Sequence, residues 1–139
     1  MADPVYTSPL VDKLGVKPGA RVAVINIDDP DFRSALAERT HDISEAEPLP
    51  DSNLVFLGID DGTELHQLAF LRTRIVSNGA IWVVSRKGKR ATVRDIEVMA
   101  AAKAVGLVDN KVVAFSQLST AVRLVIPLSM RAAQRPASD

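Results

Sequence analysis

Apolar and polar positions follow two rhythms along this chain, and the changes between them lay out its architecture. Val22, Ala23, Val24, Ile25 and Ile27 form a nearly continuous apolar run, the pattern of a parallel strand covered on both faces. The runs "NLVFLGI" (53–59) and "AIWVVS" (80–85) repeat it. Helical spacing fills the gaps. Ser8 as cap, Pro9 at the first helical position and Gly15 at the end predict a short opening helix. After the first strand, Asp29 is a cap and Pro30 a helix start, with Phe32 and Leu36 sharing a face of a helix reaching about Arg39. The stretch "DGTELHQLAFLRTRIVSNG" (61–79) predicts a longer helix. Asp61 caps it, Glu64 completes a capping box, Leu65, Leu68, Leu71 and Ile75 share a face, and Gly79 ends it. A last helix opens at Thr92, with Asp95 three residues on, and stops at Gly106.

The acidic, proline-bearing stretch "THDISEAEPLPDS" (40–52) supports only a short edge strand near Ile43 and a loop. "KVVAFS" (111–116) and "AVRLVIP" (121–127) are two more strands, separated only by Gln117 to Thr120. So short a link cannot make a parallel crossover and predicts an antiparallel hairpin. The expectation is therefore one α/β domain over residues 8–129: a three-layer, mostly parallel sheet ending in that hairpin, with a flexible arm at 1–7 and a tail at 130–139.

Composition narrows the function classes. At 139 residues, 47% hydrophobic and 24% charged, the chain has ordinary globular proportions. It has no cysteine, which removes disulfides, thiolate zinc sites and cysteine nucleophiles. The first twenty residues lack a basic start followed by an apolar run, and no stretch is long enough to span a membrane. The expected location is the cytoplasm, with no membrane partner. Net charge is zero, which argues against nucleic acid as a partner. The charge is nevertheless polarised: residues 1–64 carry 13 acids and 5 bases, residues 65–139 carry 4 acids and 12 bases. The two halves neutralise each other across loops or form a dipolar surface that self-associates.

Ligands of open α/β sheets bind beyond the carboxyl ends of the strands. Three loops fall there, bearing Asp28 and Asp29, Asp60 and Asp61, and the run Arg86, Lys87, Lys89 and Arg90. Helix capping explains Asp29 and Asp61, leaving Asp28 and Asp60 as carboxylates without a local structural reason. Two spare carboxylates are too few for a metal but suit the hydroxyls of a nucleoside ribose. Asp28, Asp29, Asp60, Asp61, Arg86 and Lys87 are therefore the candidate ligand-binding residues, and Arg86, Lys87, Lys89 and Arg90 a candidate anion site. No exposed aromatic accompanies the basic run for base stacking. His41 and His66 form no acid-base pair, no serine sits in a nucleophile elbow, and no catalytic residue is assigned. The edge of the final hairpin is a candidate surface for homo-oligomerisation.

The order of elements, with its closing hairpin and the stretch "SNGAIWVVSRKG" (77–88), resembles an abbreviated class I S-adenosylmethionine-dependent methyltransferase, a variant of the Rossmann fold. More closely, "PLVDKLGVKPGARVAVIN" (9–26), "GAIWVVSRK" (79–87) and "RDIEVMAAAKAVGLVDNKVVAF" (94–115) resemble a family of short bacterial domains of unknown function, from about Ser8 to Pro127. That family often has Pro-Lys after the tryptophan-bearing strand, where this chain has Arg86-Lys87. The methyltransferase likeness implies S-adenosylmethionine as cofactor and a glycine-rich turn after the first strand, which gives the cofactor access to bare backbone. Here the turn is Asp28-Asp29-Pro30. The reading is thus a non-catalytic module for a nucleoside-like ligand or for self-association. The alternatives are a reduced methyltransferase, or an anion or nucleic-acid binder acting through residues 86–90.

Overall fold

A computed structural model describes residues 9–87 and 93–130. The elements run α1 (Pro9–Lys13), β1 (Val22–Ile25), α2 (Pro30–Arg39), β2 (Ile43–Glu45), β3 (Ser52–Gly58), a 3₁₀ segment (Thr63–Gln67), α3 (Leu68–Arg72), β4 (Ile75–Arg86), α4 (Asp95–Ala104), β5 (Val108–Ala114) and β6 (Ser119–Val125). The strands form one six-stranded sheet in the order β2-β1-β3-β4-β6-β5. Pairings from β2 through β4 are parallel, and β6 runs antiparallel to both β4 and β5. The expected hairpin is present, its strands joined through 115–118.

Period-two alternation along the strands divides the core into two layers. One face of the sheet packs Val24, Phe56 and Trp82 against Val11 of α1, Leu14 just beyond it, and Phe32 and Leu36 of α2. The other packs Val55, Ile81 and Val83 against Leu68 and Leu71 of α3 and Val98 and Ala102 of α4. Covering both faces explains why β1, β3 and β4 read as continuous apolar runs. Trp82, fully buried, donates its indole N–H to the Leu14 carbonyl at 3.0 Å, which ties α1 to the centre of the sheet and satisfies a helix-end acceptor.

Two helix expectations are corrected. Residues 61–79 do not form one long helix: the 3₁₀ segment and α3 end at Arg72, and Ile75 already pairs with Ser52 in β4. Leucines at 65, 68 and 71 repeat every third residue, which suits a 3₁₀ turn as well as an α-helix face, and β-branched Ile75 and Val76 continue better as strand. Gly79 therefore lies inside β4. The last helix starts at Asp95 with Arg94 as its cap. Glu97, not Asp95, closes the box by accepting the Arg94 N–H at 2.7 Å. Thr92 lies outside the described residues. Gly106 ends the helix at a φ of 83° as expected.

β5 is the outer strand beyond β6, with Val108 and Val112 exposed. Its ladder is interrupted between Asp109 and Lys111, and a bulge flanked by charges is a recurrent way of blunting a sheet edge. Of the expected arm and tail, residues 1–7 and 131–139 lie outside the described residues. Met130 stands in a helical turn, its sulfur 3.6 Å from the Arg72 guanidinium. No described helix is long and apolar enough to cross a membrane.

Candidate functional site

The carboxyl ends of β1, β3 and β4 are neighbours, so the two aspartate-bearing loops meet on one rim with Arg86 and Lys87, the described start of the third. The first begins at Asn26, which takes a left-handed φ of 59°. Asparagine tolerates this conformation better than most residues, and here its side chain has a second task. Its amide donates to the Gly58 carbonyl at 2.9 Å and to the Asp60 carboxylate at 3.2 Å, lacing the first loop to the second. The approach is so close that a Cβ on Gly58 would stand 2.2 Å from the Asn26 carbonyl oxygen. Asp60, which has no local structural reason in the sequence, is thus engaged from the first loop by Asn26.

Asp29 caps α2 as expected, accepting the Phe32 N–H at 3.0 Å. With Pro30 contributing no N–H, the helix start is largely closed to an external anion. Asp61 accepts from the Thr63 backbone N–H at 3.0 Å and the Thr63 hydroxyl at 2.7 Å. These bonds, the backbone one foremost, hold its carboxyl below the usual aspartate range. Glu64 reaches back to the N–H groups of Asp60 at 2.9 Å and Gly62 at 3.1 Å, so the loop is wound around one carboxylate. His66 is spent on the Thr63 carbonyl.

A cavity of about 420 Å³ opens between these loops and the β5–β6 turn. Asp28, Asp29 and Asp60 border it together with Arg86. Asp61 and Lys87 are not among its lining residues, and Lys89 and Arg90 lie outside the described residues. A cavity thus remains beside the bend after β1 although both its aspartates border it, Asp29 with one carboxylate oxygen on the Phe32 N–H. Ile27, Ile59 and Phe115 supply apolar wall, and Ser85 and Ser116 hydroxyl-bearing wall. Ser85 is 4% exposed, and its Oγ has no hydrogen-bond partner. An orphaned hydroxyl at the border of a cavity calls for a partner that the described residues do not provide.

A second opening, about 470 Å³, lies on the other side of the same bend, against Asn26, Asp28, Arg33 and Glu45. Arg33 holds the bend by donating to the Ile27 carbonyl at 3.1 and 2.9 Å, and it pairs with Glu45 at 2.6 Å. Asn26, Ser85 and Glu45 are the site residues the sequence reading missed. Glu45 had a usable signal: it ends the second strand about twenty residues beyond the first, where dinucleotide-binding sheets place a ribose-binding acid. Among the described residues no group of three or more histidine, aspartate or glutamate side chains is placed to hold a metal.

The lining suits some ligands and not others. Three carboxylates and a plugged helix terminus repel phosphate, whereas carboxylates accept hydrogen bonds from hydroxyls and attract a cation. The residues therefore fit the nucleoside and sulfonium portions of S-adenosylmethionine, and among the described lining residues Arg86 is the cation suited to a carboxylate.

A family model described as "Protein of unknown function (DUF3052)" matches residues 11–128. Comparison with curated proteins finds no match. Among solved structures, the chain is similar to a SAM-dependent methyltransferase from Aquifex aeolicus (TM-score 0.68, 13% identity, 90% of this chain and 94% of that one). It is also similar to a SAM-dependent O-methyltransferase from Thermotoga maritima (0.65, 9%, 91% and 67%). A third is a TehB-like SAM-dependent methyltransferase from Corynebacterium glutamicum (0.57, 13%, 90% and 89%). At these identities the likeness establishes the fold, a methyltransferase-like α/β sheet.

Proposed function

The chain belongs to the DUF3052 family, whose function is unknown, and for this member we propose a binding role: a non-catalytic module that takes an uncharged or cationic nucleoside at the carboxyl rim of its sheet. The observation that carries this reading is the bend at 26–28, which has an opening on each side and carboxylates on both, Asp60 at one and Glu45 at the other, with Asp28 bordering both. A nucleoside laid across the bend has hydroxyls to donate to these acids and an apolar base to set against Ile27, Ile59 and Phe115. Among the described residues neither lining has a histidine, cysteine, tyrosine or lysine, which favours binding over turnover.

A second reading, a reduced methyltransferase, is favoured by the sheet order shared with the solved enzymes. In it Asp28, Asp60 and Glu45 would hold the nucleoside hydroxyls and Arg86 the carboxylate of S-adenosylmethionine, whose sulfonium supplies a transferable methyl group when bound.

Calorimetry with adenosine, S-adenosylmethionine, its demethylated product and ATP tests both readings. Saturable binding of the first three, weakened in Asp60→Asn and not improved by the phosphates of ATP, is expected. At a hundredfold excess over Kd such a ligand stabilises the fold by about 2.7 kcal/mol. No binding at millimolar concentration would end the nucleoside reading. Loss of the methyl group from bound S-adenosylmethionine to an added nucleophile would select the methyltransferase instead.

A further inference from the structure

The opposite pole of the sheet holds a cavity of different chemistry. In the β3–β4 ladder Ser52 faces Ile75 and Leu54 faces Ala80, so four residues, Val76 to Gly79, stand on β4 against the single Asn53. Such a bulge gives up ladder pairing, and bulges commonly re-aim a side chain at a site. Gly79 is required there, since a Cβ would lie 2.8 Å from the Asn53 carbonyl oxygen. The bulge brings exposed Asn78 to the wall of an opening of about 340 Å³ at the amino ends of β1 and β3. The facing wall is the turn at Lys17, Pro18 and Gly19, closed by the Ala20 N–H on the Lys17 carbonyl at 3.0 Å. Arg123, half-buried on β6, completes the lining.

Among the described residues this lining has the cationic side chain of Lys17, with Arg123 at its edge, and no carboxylate. Asn53 adds to the bias, because its side-chain oxygen already accepts the Arg21 N–H at 2.9 Å, which leaves the amide's N–H groups for a ligand. Amide donors and a lysine, with no carboxylate among the described lining residues, suit an oxyanion, and the volume lies within the range of small-molecule sites, about 300–1,000 Å³. We propose that this amino-terminal cavity binds a small molecule through a carboxylate or phosphate group, held by Lys17 and the side-chain amides of Asn53 and Asn78. The site is independent of the nucleoside reading at the other pole.

The test is an NMR titration of the full chain with inorganic phosphate and, separately, citrate, with chloride holding ionic strength constant. Saturable shifts at the amides of Lys17, Gly19, Asn78 and Gly79 are expected, and the tighter probe distinguishes a phosphate ligand from a carboxylate one. Lys17→Gln, on an exposed turn, weakens binding about tenfold, the worth of one charge-assisted hydrogen bond, and Asn78→Ala about threefold to fivefold. Shifts that never saturate, shifts confined to residues 86–90, or affinities unchanged in both variants would overturn the proposal.

Discussion

At one pole of the sheet Asp28, Asp29 and Asp60 border a cavity with Arg86; at the other, Lys17 and Arg123 border a cavity that has no carboxylate among the described residues. The same parallel strands feed both, so the fold alone does not decide what either end attracts. The poles also share a device: each has a glycine packed against the carbonyl oxygen of an asparagine on the neighbouring strand or its end, Gly58 against Asn26 and Gly79 against Asn53. The lesson is that backbone proximity shapes each opening while a few charged side chains set its sign.

Substituting the two glycines breaks the comparison most severely. Gly58→Ala puts a methyl group 2.2 Å from a backbone oxygen that the Asn26 bridge holds in place. It is expected to destabilise by about 3 kcal/mol, the upper end of ordinary overpacking, and to lose ligand binding at the acidic rim. Gly79→Ala meets Asn53 at 2.8 Å inside a bulge that has more room to adjust, so about 1–2 kcal/mol is expected. Denaturant unfolding of the two variants checks the order, and an equal or reversed ranking would show that the acidic rim is the looser pole.

Asp29→Ala comes next. It removes the acceptor for the Phe32 N–H and should cost about 1 kcal/mol, the usual worth of a helix cap. It also uncovers the helix start, so measurable phosphate binding at this pole in the variant, absent in the parent chain, would sharpen the contrast. The smallest effect concerns Asp61. Its folded carboxyl titrates below the usual aspartate range because Thr63 donates to it. Its contribution is present above the unfolded value and is lost as pH falls through the folded one. In Asp61→Asn the acid limb of a stability-against-pH curve should be slightly flatter, and an unchanged limb would show the Thr63 contacts to be without weight.

Much of the frame was legible in local pattern. The apolar runs at 22–27, 53–59 and 80–85 marked the buried strands, Asp29 its helix cap and Gly106 its helix end, since each signal involves residues near in sequence. The acidic rim was legible as three converging loops. What failed shows why. Leu65, Leu68 and Leu71 satisfy two helical periods at once, and the pairing of Ile75 with Ser52 involves a partner more than twenty residues away. Asn26 and Gly58 matter only to each other, and Ser85 matters because nothing reaches it.

The chain's order of apolar runs, caps and turns determined by itself that two helical layers enclose a mostly parallel sheet, because amphipathic periodicity and turn chemistry act over a few residues. Tertiary structure alone decided that Asn26 ties two loops together, that a cavity opens beside Asp28 and Asp60, and that 76–79 bulge at the wall of an opening bordered by Lys17. Those outcomes depend on which strands become neighbours and how closely their backbones approach, quantities that side-chain pattern within one segment does not encode.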